Sequence, residues 1–440
     1  MKEALLEKEH DNLMLEHCNH HAKMKSLFPL KEHPLYGSEV SFDQLDYLMP
    51  SVLADFTNGT NFSEDTTNLE ICPACFFNTS GTVNRSKKIP FSDADLERQK
   101  IHEAIALQKL NMGPGDAVMS LGAPLPSISG WAIVNGSEAT GAIALNSSQI
   151  DYETAIENDN RNKVTFVIGT PLVVKEIGLA IEQEHGDLKK VFPNLKTAVI
   201  FGDVLPDNLR QFIKELWGFK NVYSLYGTVE ADVVATEDPK NAGQMTLMTE
   251  RLYFELITES ELSKERENSE YMPKAIAINN VKAGEIGEII ISDLSRETLP
   301  LLRYRIGDII QVHNIDQNKN NSEVNISVLG RSKNTVVVSH TVLYEMQIEQ
   351  AIQNAMGERV IEWKLLEDKK HAGHYQLLVH MVTCETLSSQ DTENIHNNIK
   401  IIRPELEKTN VESYFLISQS EGFEKSDVVG DVKANRIVLV

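Results

Sequence analysis

The sequence is short of cysteine, of positive charge and of long apolar runs. Four cysteines in 440 residues are too few for a disulfide framework. No apolar run approaches the ~20 residues that a membrane-spanning helix requires. The opening stretch "MKEALLEKEHDNLMLEHCNHH" lacks the apolar centre of a signal peptide. We therefore expect a cytoplasmic protein without a membrane span.

Acidic residues outnumber basic ones, 64 to 42, which gives a formal net charge of −22. Binding nucleic acid without regard to sequence needs a basic face that displaces counterions, so this charge argues against such binding. A small anion such as ATP is not excluded, because a pocket can be locally positive on an acidic protein.

The middle of the chain alternates short apolar segments with amphipathic ones. Ser92 can cap a helix that has Asp95 at its third position and runs to Gly113, and a second helix is predicted over 206–218. This alternation predicts an α/β fold with a parallel sheet flanked by helices and with ligands at the carboxyl ends of its strands. The predicted strands are 116–123, 164–171, 196–203 and 221–228.

The pattern changes after about residue 280. Segments 284–294 and 301–312 predict paired strands, and 314–325 is a polar loop. Beyond residue 330 the order is strand, helix, strand, helix. We expect a large N-terminal domain (1–329) with flanked parallel or mixed sheets, followed by a small mobile α+β C-terminal domain (330–440).

The stretch "NTSGTVNRSKK" (78–88) combines hydroxyls, a glycine and cations. A loop that holds a triphosphate needs small residues for close backbone approach, hydroxyl donors and a positive charge. Clusters of Ser, Thr and Gly are also common in ordinary polar turns. Taken alone, the stretch leaves both interpretations open.

The stretch "LYGTVEAD" (225–232) places Tyr226 and Gly227 at the end of a predicted strand, with Glu230 shortly after. The aromatic ring can stack on a base, and the carboxylate can lie near Mg²⁺. A surface turn explains the same residues.

In "LPLLRYRIGDII" (299–310), Asp308 follows Gly307 at a predicted turn, with Arg303 and Arg305 close by. Its carboxylate can accept hydrogen bonds from both hydroxyls of a ribose, although a structural hairpin is the alternative. Cations also occur in "LGRSKNTVVV" (329–338) and in the C-terminal "GDVKANRIVLV".

The order and spacing of these motifs resemble the adenylate-forming superfamily of acyl- and aryl-CoA synthetases, luciferases and peptide-synthetase adenylation domains. The shared elements are Ser-Gly-Thr, Tyr-Gly-x-x-Glu, Tyr-Arg-x-Gly-Asp, Gly-Arg and Lys-x-x-Arg, spread over 79–436. "LPLLRYRIGD", "YGTVEADVVATED" and "GRSKNTVVVSHTVLYEMQIEQAI" are most similar to the phenylacetate–CoA ligase branch.

The resemblance implies an enzyme that joins a carboxylic acid to AMP, releases pyrophosphate and passes the acyl group to an acceptor. It implies ATP and Mg²⁺, with CoA or an amine as the acceptor. The residues implied to bind ATP or AMP are Thr79, Ser80, Gly81, Thr82, Lys87, Gly202, Asp203, Tyr226, Gly227, Thr228, Asp308 and Arg331. Glu230 is implied to bind Mg²⁺, Lys433 to neutralise charge during adenylation and Lys333 to form the hinge. Trp131 falls in the region that shapes the acyl pocket, although an aromatic residue of the core explains it equally well.

Some positions depart from the family pattern. Val83, Asn84 and Ser86 replace a threonine, a glycine and a proline of the usual phosphate loop, and Val229 replaces a hydroxyl residue. His340 stands where a glycine usually lines the pantetheine channel. These departures leave a nucleotide-binding protein without turnover as one alternative. An amide-forming or acyl-protein synthetase is another, and a homodimer also stays open.

Cys72 and Cys75 form a Cys-x-x-Cys pair just before the predicted phosphate loop. A zinc site needs about four such ligands. The remaining candidates near them in sequence are His17, Cys18, His20 and His21. The pair is interpreted as packing residues, with zinc as the alternative.

Overall fold

The computed structural model describes residues 47–51, 53, 73–79, 86–293, 295–299, 301–316, 323–371, 373–382, 385–421 and 436–439. Several residues assigned above lie outside these ranges: Cys72, the loop residues Ser80, Gly81 and Thr82, the proposed zinc ligands His17, Cys18, His20 and His21, and Lys433. Among the described residues, no helix is both long and apolar enough to cross a membrane.

A short antiparallel pair, β1 (Cys75–Asn78) and β2 (Lys88–Phe91), precedes the first helix. Within the described part of the chain, the next twelve strands form one mixed sheet. Neighbouring strands are parallel from β4 through β3, β5 and β6 to β7, and antiparallel beyond β7. The strands are β3 (Ala117–Leu121), β4 (Ile143–Ala144), β5 (Phe166–Gly169), β6 (Thr197–Phe201), β7 (Asn221–Thr228), β8 (Asp232–Asp238), β9 (Asn241–Leu247), β10 (Tyr253–Thr258), β11 (Ala275–Ala277), β12 (Ile286–Asp293), β13 (Leu301–Asp316) and β14 (Glu323–Arg331).

Helices cover both faces of the parallel half, because successive side chains on a strand point to opposite sides. Val199 on β6 packs in a cluster with residues of the helices over 93–109 and 129–140. Its neighbours Ala198 and Ile200 pack instead with residues of the helices over 171–185 and 207–217. The helices of this region are α1 (Asp93–Lys109), α2 (Ser129–Thr140), α3 (Pro171–His185), α4 (Leu188–Val191), α5 (Asp207–Trp217) and α6 (Glu259–Glu267). The predicted α/β architecture is confirmed.

Helix α1 begins as the sequence predicts and ends earlier. The Ser92 hydroxyl accepts from the Asp95 amide, and the Asp95 carboxylate accepts from the Ser92 amide, both at 3.1 Å. This reciprocal capping satisfies two of the amides that a helix start leaves unpaired. The helix stops at Lys109 rather than near Gly113, because Asn111 adopts a left-handed backbone with φ of 67°.

The elements after Arg331 form a second core, and we call them the small unit. Its apolar cluster runs from Val336 to Ile437. The sequence predicted one strand before the first helix of this unit, but the structure has a hairpin there with Ser339 and His340 as its two turn residues. The elements are β15 (Val336–Val338), β16 (Thr341–Leu343), α7 (Glu345–Met356), β17 (Val360–Glu367), β18 (Tyr375–Met381), α8 (Ser389–Ile402), β19 (Phe415–Ser420) and β20 (Ile437–Val438), the last four strands forming one sheet.

Candidate functional site

A large open cleft of about 2420 Å³ lies between the twelve-stranded sheet and the small unit. Part of its wall comes from the carboxyl ends of the parallel strands β6 and β7, where open α/β sheets commonly bind ligands. Seven of the residues that the sequence assigned to ATP binding or to the hinge line this cleft. They are Gly202, Asp203, Tyr226, Gly227, Asp308, Arg331 and Lys333.

Asp308 lies inside strand β13, so its predicted position at a turn between strands is wrong. Gly307 adopts φ of 84° at a β-bulge where three residues of β13 lack partners on β12. A glycine tolerates this left-handed conformation without steric cost, and the strand continues past it. The bulge explains why a turn signal occurs within a strand.

The Asp308 carboxylate joins two other predicted site residues. The Tyr226 hydroxyl donates to Oδ2 at 2.6 Å, and Arg331 Nε lies 2.9 Å from Oδ1. Burial raises the pKa of Tyr226 well above its usual value, and the neighbouring Asp308 charge raises it further. Asp308 also raises the pKa of Arg331. The three side chains form a rigid charged cluster at the cleft wall.

A second cluster surrounds Glu230, which is only 5% exposed. Lys87 Nζ lies 2.5 Å from Glu230 Oε1 and donates to the Tyr304 hydroxyl at 2.9 Å. Tyr304 in turn donates to Glu230 Oε1 at 3.0 Å. Burial opposes ionisation of Glu230, but Lys87 and the Tyr304 hydrogen bond outweigh it and lower the pKa of Glu230. The carboxylate is therefore ionised at neutral pH.

The two clusters interact electrostatically. Burial and Glu230 raise the pKa of Tyr304, and the Asp308 charge raises it further. The Glu230 charge likewise adds to the effects of burial and Asp308 that raise the pKa of Tyr226. The structure thus brings together residues from β7, β13 and β14 with Lys87 from the end of the predicted phosphate loop. This convergence is the central geometric finding at the site.

A buried arginine fixes the backbone beside Glu230. Arg296 is 2% exposed and donates to the carbonyl oxygens of Glu230 at 2.9 Å and of Pro90 at 2.8 Å. It therefore connects β2, which follows the predicted phosphate loop, with the segment that carries Glu230.

Arg303 and Arg305 do not lie free beside Asp308. Arg303 makes a bidentate ion pair with Glu255, at 2.9 and 3.0 Å. Arg305 pairs with Glu288 at 2.7 Å and with Glu265 at 2.6 Å. Both arginines stabilise the sheet rather than the cleft.

The base of the predicted phosphate loop is closed by hydrogen bonds. The Thr79 amide donates to the Lys87 carbonyl, and the Lys87 amide donates to the Thr79 hydroxyl, each at 3.0 Å. Ser86 Oγ donates to the Thr79 carbonyl at 2.8 Å. Thr79 and Lys87 are therefore held together at the two ends of the loop.

The other predicted ATP-binding residues occupy strand ends. Gly202 has φ of 84° directly after β6, and the Asp203 carboxylate accepts from the Val204 amide at 2.9 Å. Thr228 Oγ1 accepts from the Ala231 amide at 3.0 Å and so closes the turn that holds Glu230. A Cβ on Gly227 would lie 2.8 Å from the Asp232 carbonyl, so a larger residue does not fit there.

Trp131, the predicted pocket residue, lies on α2 and is partly buried. Its ring centroid is 6.0 Å from that of Phe77, in an apolar cluster that also contacts Tyr226 and Val229.

Lys333 lies in the single turn that directly follows β14.

Among the described residues, no group of three or more His, Cys, Asp or Glu side chains could hold a metal ion. Cys75 packs half-buried against an apolar cluster, which agrees with its interpretation as a packing residue. Mg²⁺ needs fewer protein ligands than zinc, because it is usually held by one or two carboxylates together with substrate phosphates and water. The ionised, buried Glu230, paired with Lys87 at the end of the predicted phosphate loop, fits that requirement.

Charged side chains also join the two units. Arg403 after α8 donates to both carboxylate oxygens of Glu259 on α6, at 3.1 and 3.0 Å. Tyr344 donates to the same carboxylate at 2.8 Å. In the cleft, Arg436 pairs with Glu345 at 3.2 Å. Burial raises the pKa of Glu345, and the charges of Glu349 and Glu345 outweigh burial and raise that of Arg436; the nearby Asp203 adds to both shifts.

Sequence reasoning missed Tyr304, Arg296, Glu259 and Arg403 as contributors to the site. Tyr304 lies within a motif that the sequence analysis quoted, four residues before Asp308. Its partners Lys87 and Glu230 are 217 and 74 residues away along the chain. Local pattern gives no signal for contacts of that separation.

A family model described as "AMP-binding enzyme" matches residues 12–267 of this 440-residue chain, which is more than half. A second model, described as the GH3 family central domain, matches residues 245–321. A search of curated protein sequences gives no match.

Solved structures share the fold at low sequence identity. A 2-hydroxyisobutyryl-CoA ligase in the postadenylation state, in complex with R3-HIB-AMP, matches with a TM-score of 0.71 and 14% identity, over 98% of this chain and 90% of the ligase. The same ligase in the thioesterification state, with 2-HIB-AMP and CoA, matches with a TM-score of 0.58 and 15% identity, again over 98% of this chain and 90% of the ligase. A GH3.15 acyl acid amido synthetase matches with a TM-score of 0.55 and 13% identity, over 85% of this chain and 79% of the synthetase.

Proposed function

The chain belongs to the AMP-binding enzyme family, and from that premise we propose that it is an ATP-dependent ligase that activates a carboxylic acid as an acyl- or aryl-adenylate. The membership confirms the superfamily predicted from the motifs. The observation that carries the proposal is that the Tyr226–Asp308–Arg331 cluster, which lines the cleft, interacts electrostatically with the buried Lys87–Tyr304–Glu230 cluster behind it. A nucleotide needs both a ribose acceptor and a phosphate cradle, and these clusters supply them.

In the first half-reaction a carboxylate oxygen attacks the α-phosphorus of ATP. The bond from that phosphorus to the bridging oxygen breaks, and pyrophosphate leaves with the electron pair. Such chemistry depends mainly on positioning and charge neutralisation. We assign Asp308 to the ribose hydroxyls, Thr79 and Lys87 to the β- and γ-phosphates, and Lys433 to the developing charge.

Bound Mg²⁺ supplies neutralisation of phosphate charge, and Glu230 is the described residue that would hold it. We assign the adenine to the wall formed by Gly202, Asp203, Tyr226 and Gly227, which border the same cleft. Ser80, Gly81 and Thr82 complete the phosphate loop in this proposal. Trp131 is assigned to the acyl pocket because it packs against the same apolar cluster as Tyr226 and Val229.

In the second half-reaction an acceptor attacks the carbonyl carbon and AMP leaves. CoA and an amine are both acceptors in keeping with the comparisons. The GH3 central-domain match over residues 245–321 supports an amine, and so does His340 at the position of the usual channel glycine. The fit to the 2-hydroxyisobutyryl-CoA ligase supports a thiol.

We further propose that the small unit changes position between the half-reactions, with domains 1–329 and 330–440 and a hinge at Lys333. The chain fits the postadenylation state of that ligase better than its thioesterification state, with TM-scores of 0.71 and 0.58, which supports two arrangements of one fold. A phenylacetate–CoA ligase-like branch, a cytoplasmic location and a homodimer stay predictions.

The test is carboxylate-dependent exchange of labelled pyrophosphate into ATP, with a panel of aryl and fatty acids. We expect exchange with at least one acid, and we expect Lys433→Ala to abolish it. Lys425→Ala is the matched control, because it removes a lysine eight residues earlier in the same C-terminal segment and should retain exchange. ATP binding without exchange for any acid would instead support a nucleotide-binding protein without turnover.

A further inference from the structure

Tyr304 is the tyrosine of the Tyr-Arg-x-Gly-Asp element, and the proposed function above gives it no role. Its side chain is 1% exposed within β13, and its hydroxyl lies between Lys87 Nζ at 2.9 Å and Glu230 Oε1 at 3.0 Å. Lys87 Nζ also lies 5.6 Å from the centre of the Tyr304 ring. The hydroxyl therefore accepts from the lysine and donates to the carboxylate.

The backbone around Tyr304 is fixed by contacts on both sides. The preceding residue, Arg303, has φ of 47° and is held by its bidentate ion pair with Glu255. The amide of Leu48 donates to the Arg303 carbonyl, and the Arg305 amide donates to the Leu48 carbonyl, at 3.1 and 3.0 Å. Tyr304 consequently projects from a rigid strand and cannot move far.

Lys87 is placed differently, because it is the last residue before β2 at the end of the phosphate loop. In the proposed function its ammonium group turns to the phosphates when ATP binds. Glu230 then loses its closest cation, and the same carboxylate would hold the metal ion. The buried carboxylate needs a partner that stays in place during this exchange.

We propose that Tyr304 is a positioning residue that holds the Glu230 carboxylate in the orientation for Mg²⁺ while Lys87 transfers from Glu230 to the nucleotide phosphates. The inference rests on the proposed function, since it gives the Glu230 site to a metal–nucleotide complex. Tyr304 acts through Glu230 and itself touches neither substrate nor metal.

The test measures nucleotide binding by calorimetry, with ATP alone and with ATP at increasing Mg²⁺, so that turnover is not required. Loss of a partner behind a metal ligand typically weakens metal affinity about 10- to 100-fold. Tyr304→Phe should therefore raise the half-saturating Mg²⁺ concentration at least tenfold, while affinity for metal-free ATP changes less than about twofold. An unchanged Mg²⁺ requirement in Tyr304→Phe would overturn the proposal.

Tyr375→Phe is the matched control. Tyr375 is buried in the small unit, where its hydroxyl contacts only the backbone of Val337 among the bonds described. This variant should leave the Mg²⁺ requirement unchanged. Circular dichroism of both variants checks that the fold is retained.

Two further variants test the inference, and the first does so even if Tyr304→Phe does not fold. Lys87→Gln leaves the Tyr304–Glu230 bond in place, so it should weaken ATP binding without raising the half-saturating Mg²⁺; a tenfold rise would assign the positioning to Lys87 and contradict the proposal. With Glu230→Gln in the background, Tyr304→Phe should add no further loss, whereas additive losses would contradict action through Glu230.

These outcomes separate the inference from the proposed function. If the wild-type protein binds Mg²⁺–ATP but exchanges no pyrophosphate, the ligase proposal fails. The effect of Tyr304→Phe on the Mg²⁺ requirement then still tests the role of Tyr304. If the wild-type protein binds ATP without any dependence on Mg²⁺, the Tyr304 inference fails whatever the exchange assay shows.

Discussion

The hydroxyl of Tyr226 donates a 2.6 Å hydrogen bond to Oδ2 of Asp308 and so leaves that carboxylate with a fixed orientation in the cleft. Asp308 is 4% exposed and is also paired with Arg331. A ligand that enters here meets a negative charge that is already positioned. This pre-positioning makes the role of Asp308 testable with sugar-modified nucleotides.

Asp308→Asn should weaken ATP binding at least tenfold, because hydrogen bonds to a charged group contribute about 1.5–3 kcal/mol. It should bind 2′,3′-dideoxy-ATP about as well as the wild-type protein does. Tyr226→Phe keeps the ring but loses the bond to Asp308, so we expect a smaller loss, of a few-fold. Isothermal titration with both nucleotides checks this, and an equal loss for ATP and dideoxy-ATP in Asp308→Asn would refute the ribose assignment.

Glu103, on the buried face of α1, should make the protein less stable as pH rises. Burial, with a smaller contribution from Asp232, raises the pKa of Glu103 from 4.5 to about 7. Below pH 4.5 both folded and unfolded chains are protonated at this residue. Between pH 4.5 and 7 only the unfolded chain ionises, so the free energy of unfolding falls by about 3 kcal/mol and then stays level.

Glu103→Gln removes this titration, so the variant should gain stability over wild type as pH rises to 7 and lose the advantage near pH 4.5. Urea denaturation of both proteins across that range is the measurement. Glu97→Gln, on the exposed side of the same helix, is the control and should show no such pH-dependent difference. A constant difference at every pH would show that the pKa of Glu103 is the same in the folded and the unfolded chain and would contradict this account.

His340→Gly should increase transfer of the acyl group to CoA. His340 has φ of 73° in the exposed two-residue turn of the β15–β16 hairpin, a conformation that glycine adopts more easily. We expect the free energy of unfolding of His340→Gly to lie within about 1 kcal/mol of the wild-type value. Glycine relieves the backbone strain at this turn, but it also gives the unfolded chain more conformational freedom. AMP release with CoA should rise several-fold while pyrophosphate exchange stays constant. Efficient CoA transfer by the wild-type protein would contradict an obstructing role for His340.

Glu259→Gln should loosen the contact between the large sheet and the small unit. The substitution removes the charge that Arg403 binds at 3.0 and 3.1 Å and that Tyr344 also contacts. Because the buried Arg403 then keeps only the carboxylate of Glu405, 3.4 Å from its Nε, as a charged partner, small-angle scattering should show a larger radius of gyration. Arg359→Ala, which breaks a bidentate pair with Asp391 inside the small unit, is the control and should leave the radius unchanged. Equal radii for Glu259→Gln and wild type would show that this ion pair does not hold the units together.

The sequence predicted elements well where local rules decide them. Ser92 and Asp95 form the expected reciprocal cap, and the apolar segments before Gly202 and around Tyr226 are strands of the parallel half. In each case the signal and the structure it specifies lie within a few residues. The fold class follows from the alternation of such segments.

The errors occur where distant parts of the chain decide the local structure. Gly307 signals a turn, yet β13 continues through it because β12 and β14 pair with the strand on both sides of the bulge. Tyr304 carries no local mark of its role, since Lys87 and Glu230 reach it only in the folded protein. Arg303 and Arg305 were placed near the ribose, but the acidic residues of β10 and β12 pair with them in the sheet.

The most direct test of the account follows one oxygen atom. With a carboxylic acid labelled with ¹⁸O in its carboxylate, adenylate formation and acyl transfer leave one labelled oxygen on the AMP that is released. Mass spectrometry should therefore find AMP heavier by one ¹⁸O, together with unlabelled pyrophosphate. Label in inorganic phosphate with ADP as the other product would instead show an acyl phosphate and contradict the account.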